Sequence, residues 1–429
     1  MEYESAQGIS AMLLVGLILT SIGGTIGLIG IWGYVVHKLA VPTAIRVIHA
    51  HLNWWAVLAY VAALVLPSLS VPSLLGGADS ARRRIALIYL VASLIWMVGM
   101  VGFYIFASVV IGAVATIAEL TLVVTLIVII YWVIKQGEEW VGPFPRFHLL
   151  ASLGGLLVGV ALGSSLIFAY KYVNPLFYLS TSNLRALPTT HDHLAIIPVA
   201  TLIYIAVLVR IGVASELIKK FSKLFVAAII LYPVLLALWL FGGSRYIPAI
   251  AEAIFYAALI GVIALTALSL GKKQTTLELS LKSVFTYLLV LNAFLIGVGA
   301  YLVITKVAPF SAWLYGWFPK DKDWVFFRNI ENLHLSPGSW TYTKMITLIG
   351  ITLLPISTST KLFLGILAAL APTFNAVGRY TAAIGFPAVG PGALIMAGHP
   401  LFVLFQLSSI IVVVYVWKKT KTSIHLAGA

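Results

Sequence analysis

Cysteine is absent from all 429 residues, and charge is scarce: 9% of positions are Asp, Glu, Lys or Arg, against roughly a quarter in a soluble domain. The first absence excludes disulfides, thiolate-ligated haem and cysteine-held iron–sulfur clusters, so any metal chemistry falls to histidine, carboxylate or methionine. The second excludes an ordinary soluble fold. Carboxylates are scarcest, with 13 Asp and Glu against 27 Lys and Arg and a formal charge of +14. That balance alone would suit nucleic acid. The basic residues, however, stand singly or in short clusters between apolar runs, as the topology signals of a membrane protein do, and no nucleic-acid partner is expected.

What is present is apolar: 61% of the chain is hydrophobic. Runs of about 20 residues, each long enough to cross a hydrocarbon core of ~30 Å as a helix, recur along its whole length. They predict an all-α, polytopic transmembrane helix bundle, a single integral membrane domain over 1–429 in contact with the lipid bilayer. Twelve spans are expected, near 9–36, 45–67, 84–106, 112–134, 147–170, 191–213, 221–241, 247–270, 283–305, 343–358, 362–381 and 393–417. Eleven is the alternative count, because Pro355, the run Ser357 to Thr360 and Pro372 suit broken or re-entrant helices. The first run, Ile9 to Val36, is too long for the apolar part of a signal peptide and is expected to stay as a span. A long outer connection at about 306–342 carries Phe310, Trp313, Trp317, Trp324, Phe326 and Trp340. It reads as an interfacial belt, or as a cover over a cofactor or a docking face.

With twelve spans both termini share one face. That face collects Arg82, Arg83, Arg84, Lys219, Lys220, Lys223, Lys272, Lys273, Lys418 and Lys419, so it is expected to be cytoplasmic, in a multi-pass protein of the cell (plasma) membrane. The histidines then sort by depth. His49 and His51 open span two, His191 and His193 open span six, and His399 opens span twelve, all near the outer face. His334 belongs to the outer connection, whereas His148, beside Arg146 on the cytoplasmic side, reads as a snorkelling interfacial residue.

Residues i and i+2 of a helix diverge by ~200°. His49 and His51 therefore face opposite flanks of span two, an arrangement that suits one iron ligand and one supporting donor, or two separate cofactors; His191 and His193 repeat it. Neutral imidazole is a good haem ligand, and helices offering imidazoles from opposite sides can hold a planar macrocycle. Hydrogen-bonded structural histidines are the alternative. Arg46, one turn before His49, suits a haem propionate. Glu119, inside span four, is the candidate for proton transfer, because a carboxylate at that depth is costly unless it is protonated or functional. Glu252, at the outer start of span eight, is a weaker candidate of the same kind.

The string His49-Ala50-His51-Leu52-Asn53 resembles the span-two region of subunit I of the haem-copper oxidase and nitric oxide reductase superfamily. There a histidine near the outer end ligates a low-spin haem, and twelve spans with cytoplasmic termini are similar too. The resemblance implies one or two haems b, with a ligand at His49 or His51. It departs in span seven, Phe221 to Phe241, which lacks the histidine pair of the family's copper site, and in span ten, which lacks the family's haem-holding His-x-His. No copper centre and no oxygen reduction at one are therefore expected, and His399 in span twelve stands as the candidate replacement ligand.

The expected function is a membrane-embedded, haem-binding electron-transfer subunit of a respiratory complex, an oxidoreductase component that oxidises quinol and serves an external redox protein or cytochrome subunit. His49, His51, His191, His193 and His399 are its candidate iron ligands. Two alternatives come from other classes. One is a secondary transporter built on broken helices, and the other is a cofactor-free membrane anchor of a redox complex.

Overall fold

The computed structural model describes residues 2–37, 43–69, 78–106, 108–168, 181–240, 247, 249–270, 276–305, 323–383 and 391–427. Twelve helices account for nearly all of them: α1 Glu2–His37, α2 Thr43–Val65, α3 Ala78–Phe106, α4 Val109–Gln136, α5 Arg146–Phe168, α6 Thr181–Arg210, α7 Ser215–Leu240, α8 Ala249–Leu270, α9 Thr276–Thr305, α10 Asp323–Thr352, α11 Thr358–Ala383 and α12 Pro391–Ala427. The exceptions include a 3₁₀ turn at Leu66–Ser68 and a two-residue hairpin, Trp140–Val141 against Phe144–Pro145. Among the described residues nine helices are long and apolar enough to cross a membrane. The protein is an all-α, multi-pass membrane bundle. Its helices turn apolar side chains outward as well as inward: on α4, Val110, Ile117 and Val124 are 75%, 64% and 57% exposed. A helix apolar all round belongs in lipid.

The chain divides into two compact units, residues 1–261 with 413–429, and residues 262–412. In the first, α1 and α2 pack over a ladder of small residues. A Cβ at Gly16 would meet the Tyr60 ring, one at Gly23 would meet Leu52 and Asn53, and one at Gly27 would meet the His49 ring. The steps of seven and four residues along α1 match those from Tyr60 to Asn53 to His49 along α2. In lipid, where no hydrophobic force drives helices together, such close approach supplies the packing energy. The hairpin of α3 and α4 closes in the same way, with Gly99 against the Ala115 backbone.

Arg82 is buried rather than exposed at a membrane face: its Nε donates to the Leu66 carbonyl at 3.1 Å and its Nη2 to the Pro67 carbonyl at 2.8 Å. These carbonyls lie just past the end of α2, where helical partners run out. Arg82→Ala should lower the unfolding free energy by about 1.5–3 kcal/mol, the range for hydrogen bonds to a charged group. Arg83→Ala, at an exposed position, should change it by about 0.5 kcal/mol or less. Denaturant titration of the two purified variants makes the comparison.

A second clamp lies outside the apolar spans. Lys219, near the start of α7, donates to Glu139 at 2.6 Å and Glu216 at 3.1 Å, tying the hairpin region to α7. The Glu139 and Glu216 hydrogen bonds raise its pKa above the ordinary 10.5. A raised lysine pKa contributes stability that is present below the unfolded value and is lost as pH rises through the folded one. The difference in thermal midpoint between the protein and Lys219→Met should therefore hold from about pH 6, where both glutamates are ionised, up to 10.5, and be lost as pH rises through the raised folded value.

In the second unit α10 begins at Asp323, inside the stretch expected to be an outer connection. It runs through Pro337 and Gly338, residues that punctuate a helix when sequence is read locally. From Gly338 onward nearly every side chain is buried, so tertiary packing against α9 and α11 overrides that preference. Residues 306–322 of the expected connection lie outside the described residues. Of the helix breaks expected at Pro355 and Pro372, the first alone is present among the described residues. Pro355 sits in the short turn between α10 and α11, the Ser357 hydroxyl accepts from the Thr360 amide at the start of α11, and Pro372 lies within continuous helix.

Candidate functional site

His49 and His51 do leave α2 on opposite flanks. The His49 ring lies against α1, in the groove opened by Gly27, and its Nδ1–H donates to the Gly23 carbonyl at 2.7 Å. Because a carbonyl only accepts, Nδ1 carries the proton and Nε2 keeps its lone pair. Asn53, one turn on, donates to the His49 carbonyl at 2.8 Å. His51 turns to α3 and stacks on Trp96, with centroids 5.0 Å apart and planes 26° off parallel; Trp55 meets the same indole edge-on at 6.4 Å. The side chain of Arg46 lies outside the described residues, although its backbone is in α2.

The second pair is divided in the same manner. His191 is helical in α6, but its side chain lies outside the described residues. His193 stacks on Tyr232 of α7 at 5.9 Å, with an interplanar angle of 20°. Glu252, in the first turn of α8, completes the group: its carboxyl faces the Tyr232 hydroxyl and interacts electrostatically with His193. An imidazole, a phenol and a carboxyl from three helices thus converge within an apolar bundle. The sequence marked His193 and, less strongly, Glu252. Tyr232 carried no local signal, since one tyrosine in an apolar run is unremarkable until the helices are packed.

Glu119 is half-buried on α4, close in sequence to the exposed Ile117 and Leu120. His399 belongs to the second unit. Its Nδ1–H donates to the Ile395 carbonyl at 2.8 Å, and Trp340 meets the ring edge-on at 5.0 Å. The side chain of His334 lies outside the described residues.

His148 departs from expectation. It is fully buried, not snorkelling, and its ring lies 6.1 Å from Phe225. The Thr201 hydroxyl donates to the Pro198 carbonyl at 2.8 Å, so it accepts from His148 Nε2–H at 2.9 Å. The proximity of Arg146 in sequence suggested a shared interface, but Arg146 donates to the Ile134 carbonyl while α5 turns His148 inward.

A haem asks little of its protein: one or two imidazoles with an Nε2 lone pair, each held by a hydrogen bond at Nδ1. The His49 imidazole meets both conditions, and the α1 glycines leave its ring room, so the donor chemistry fits. Among the described residues no three of His, Asp and Glu converge as a site for a bare ion. The cavity lined by Met12, Trp55, Leu58, Tyr89 and Leu126 contains no histidine and is not that site. Set against models of protein families and against curated proteins, the chain matches none.

Proposed function

We propose that this protein is a haem-binding electron-transfer subunit of a plasma-membrane respiratory complex, passing electrons between a quinol and an external redox protein. The observation that carries this reading is the His49 imidazole, fixed by a helix carbonyl at Nδ1 with Nε2 left as the donor atom. When bound, a b-type haem supplies one-electron transfer. The chain's own part is to hold the imidazole in one tautomer and one orientation, and to exclude water by close packing of α1 on α2. His51, stacked on Trp96, has the position of a supporting donor on the other flank.

Quinol oxidation releases protons as well as electrons, and an apolar bundle needs a group to take them. Glu252, beside Tyr232 and His193, has the composition for that task. A carboxyl within reach of a phenol and an imidazole accepts a proton and passes it on without a bare charge being left in lipid. Glu119 is the second candidate. A reduced-minus-oxidised spectrum of protein purified from a haem-replete host tests the reading directly. A b-type difference spectrum at near-stoichiometric haem is expected, and a preparation without Soret absorbance would overturn it.

A further inference from the structure

Lys344 lies in the second unit, eight residues before the end of α10, about 12 Å along the axis at 1.5 Å per residue. It is fully buried, and among the described residues its Nζ has no hydrogen-bond partner. Its Nζ sits 3.5 Å from the Phe402 ring centroid and 4.1 Å from that of Phe405, both on α12. Two ring faces offset part of the cost of desolvating a cation. They provide neither a counter-charge nor acceptors for three N–H donors.

The same face of α12 carries two more polar side chains in the same condition. Gln406, one turn beyond Phe402, is 3% exposed, and neither of its amide atoms has a partner among the described residues. Ser409, one turn beyond Phe405, is fully buried, and its hydroxyl has no partner among the described residues. Buried polar groups are ordinarily satisfied. Three that are unsatisfied among the described residues, on facing elements in a region that Phe402, Phe405 and Trp340 help to wall, point to a missing partner. Trp340, one turn before Lys344, packs 4.8 Å from Phe402 and closes that wall.

The chemistry of the missing partner follows from the inventory. Lysine, glutamine amide and serine hydroxyl form a donor-rich set that carries one positive charge once an anion accompanies the lysine. One charge matches a monoanion rather than a phosphate dianion, and the aromatic wall favours an organic body over a halide. We propose that Lys344, Gln406 and Ser409 form a buried site for a monocarboxylate with an apolar body. This goes beyond the haem reading, which rests on His49, and does not depend on it, because its test uses no haem signal.

The source of such an acid is either a soluble aromatic acid or an acyl chain from the bilayer, and two probes separate them. The full-length protein in dodecyl maltoside is titrated with sodium benzoate and with sodium decanoate, and its thermal midpoint is followed by tryptophan fluorescence. Benzyl alcohol, decanol and sodium chloride serve as controls. At least one acid should raise the midpoint saturably where its alcohol and chloride do not, and Lys344→Met should weaken that acid at least tenfold. Methionine keeps the volume of the lysine stem, and apolar replacement of a buried charge is commonly tolerated. Should that variant fail to fold, the Gln406→Leu/Ser409→Ala double variant decides, with weakening of several-fold expected. The proposal is overturned by a wild-type protein that neither acid stabilises, by an equal response to acid and alcohol, or by unchanged affinity in the variant that folds.

Discussion

His49→Ala is expected to lose haem, with an affinity at least about 100-fold lower and no Soret band in the purified protein. Removing even an outer-shell partner of a metal-bound histidine costs about 10–100-fold in metal affinity, and this substitution removes the donor atom itself. His51→Phe is expected to retain the band, because phenylalanine preserves the stacking on Trp96 at 5.0 Å and leaves His49 untouched. The structure also offers a finer test. Gly27→Ala places a methyl group against the His49 ring, so it should shift the Soret maximum or lower haem occupancy while all histidines remain. Full haem occupancy in His49→Ala, with loss in His51→Phe, would exchange the two roles.

Glu252→Gln is expected to slow haem reduction by a quinol by about 10²–10⁴-fold, the usual contribution of a positioned proton acceptor. Glutamine keeps the size and the hydrogen-bonding reach toward Tyr232 but cannot take a proton. The b-type spectrum should be unaltered, which separates proton transfer from haem binding. Tyr232→Phe should have a smaller effect, since it removes the phenol and keeps the ring that stacks on His193 at 5.9 Å. Stopped-flow mixing with duroquinol measures both. A Glu252→Gln rate within twofold of the unaltered protein would move the proton role to Glu119.

Helical content was legible from the apolar runs. Those at 45–67 and 112–134 fall on α2 and α4 with ends displaced by a few residues at most, because a helix must satisfy its own backbone in lipid wherever the side chains are apolar. Legibility failed where side chains are mixed. The stretch from Asp323 to Tyr342, with charges, Pro337 and Gly338, has no helical signature of its own, yet it begins α10. His148 failed for a related reason: proximity to Arg146 in the chain carried no information about the face of α5 on which each stands.

The pattern of the candidate site was half visible. An i, i+2 pair must diverge on any helix, so the opposite flanks of His49 and His51 could be stated before any packing was known. What each flank meets could not. Gly16, Gly23 and Gly27 carry the seven- and four-residue steps that mate with Tyr60, Asn53 and His49, a signal present in the sequence but interpretable only once α1 and α2 are paired.

By itself, then, the sequence determined the all-α membrane class, the position of most helices and the divergence of each histidine pair, because these follow from local backbone and solvent physics. Only the tertiary structure decided that His49 is fixed by the Gly23 carbonyl, that Glu252 meets Tyr232 and His193, and that Lys344 lies against two phenylalanine rings among unsatisfied polar groups. Those are contacts between residues far apart in the chain. Their energetics depend on which helix faces meet, and no local pattern encodes that.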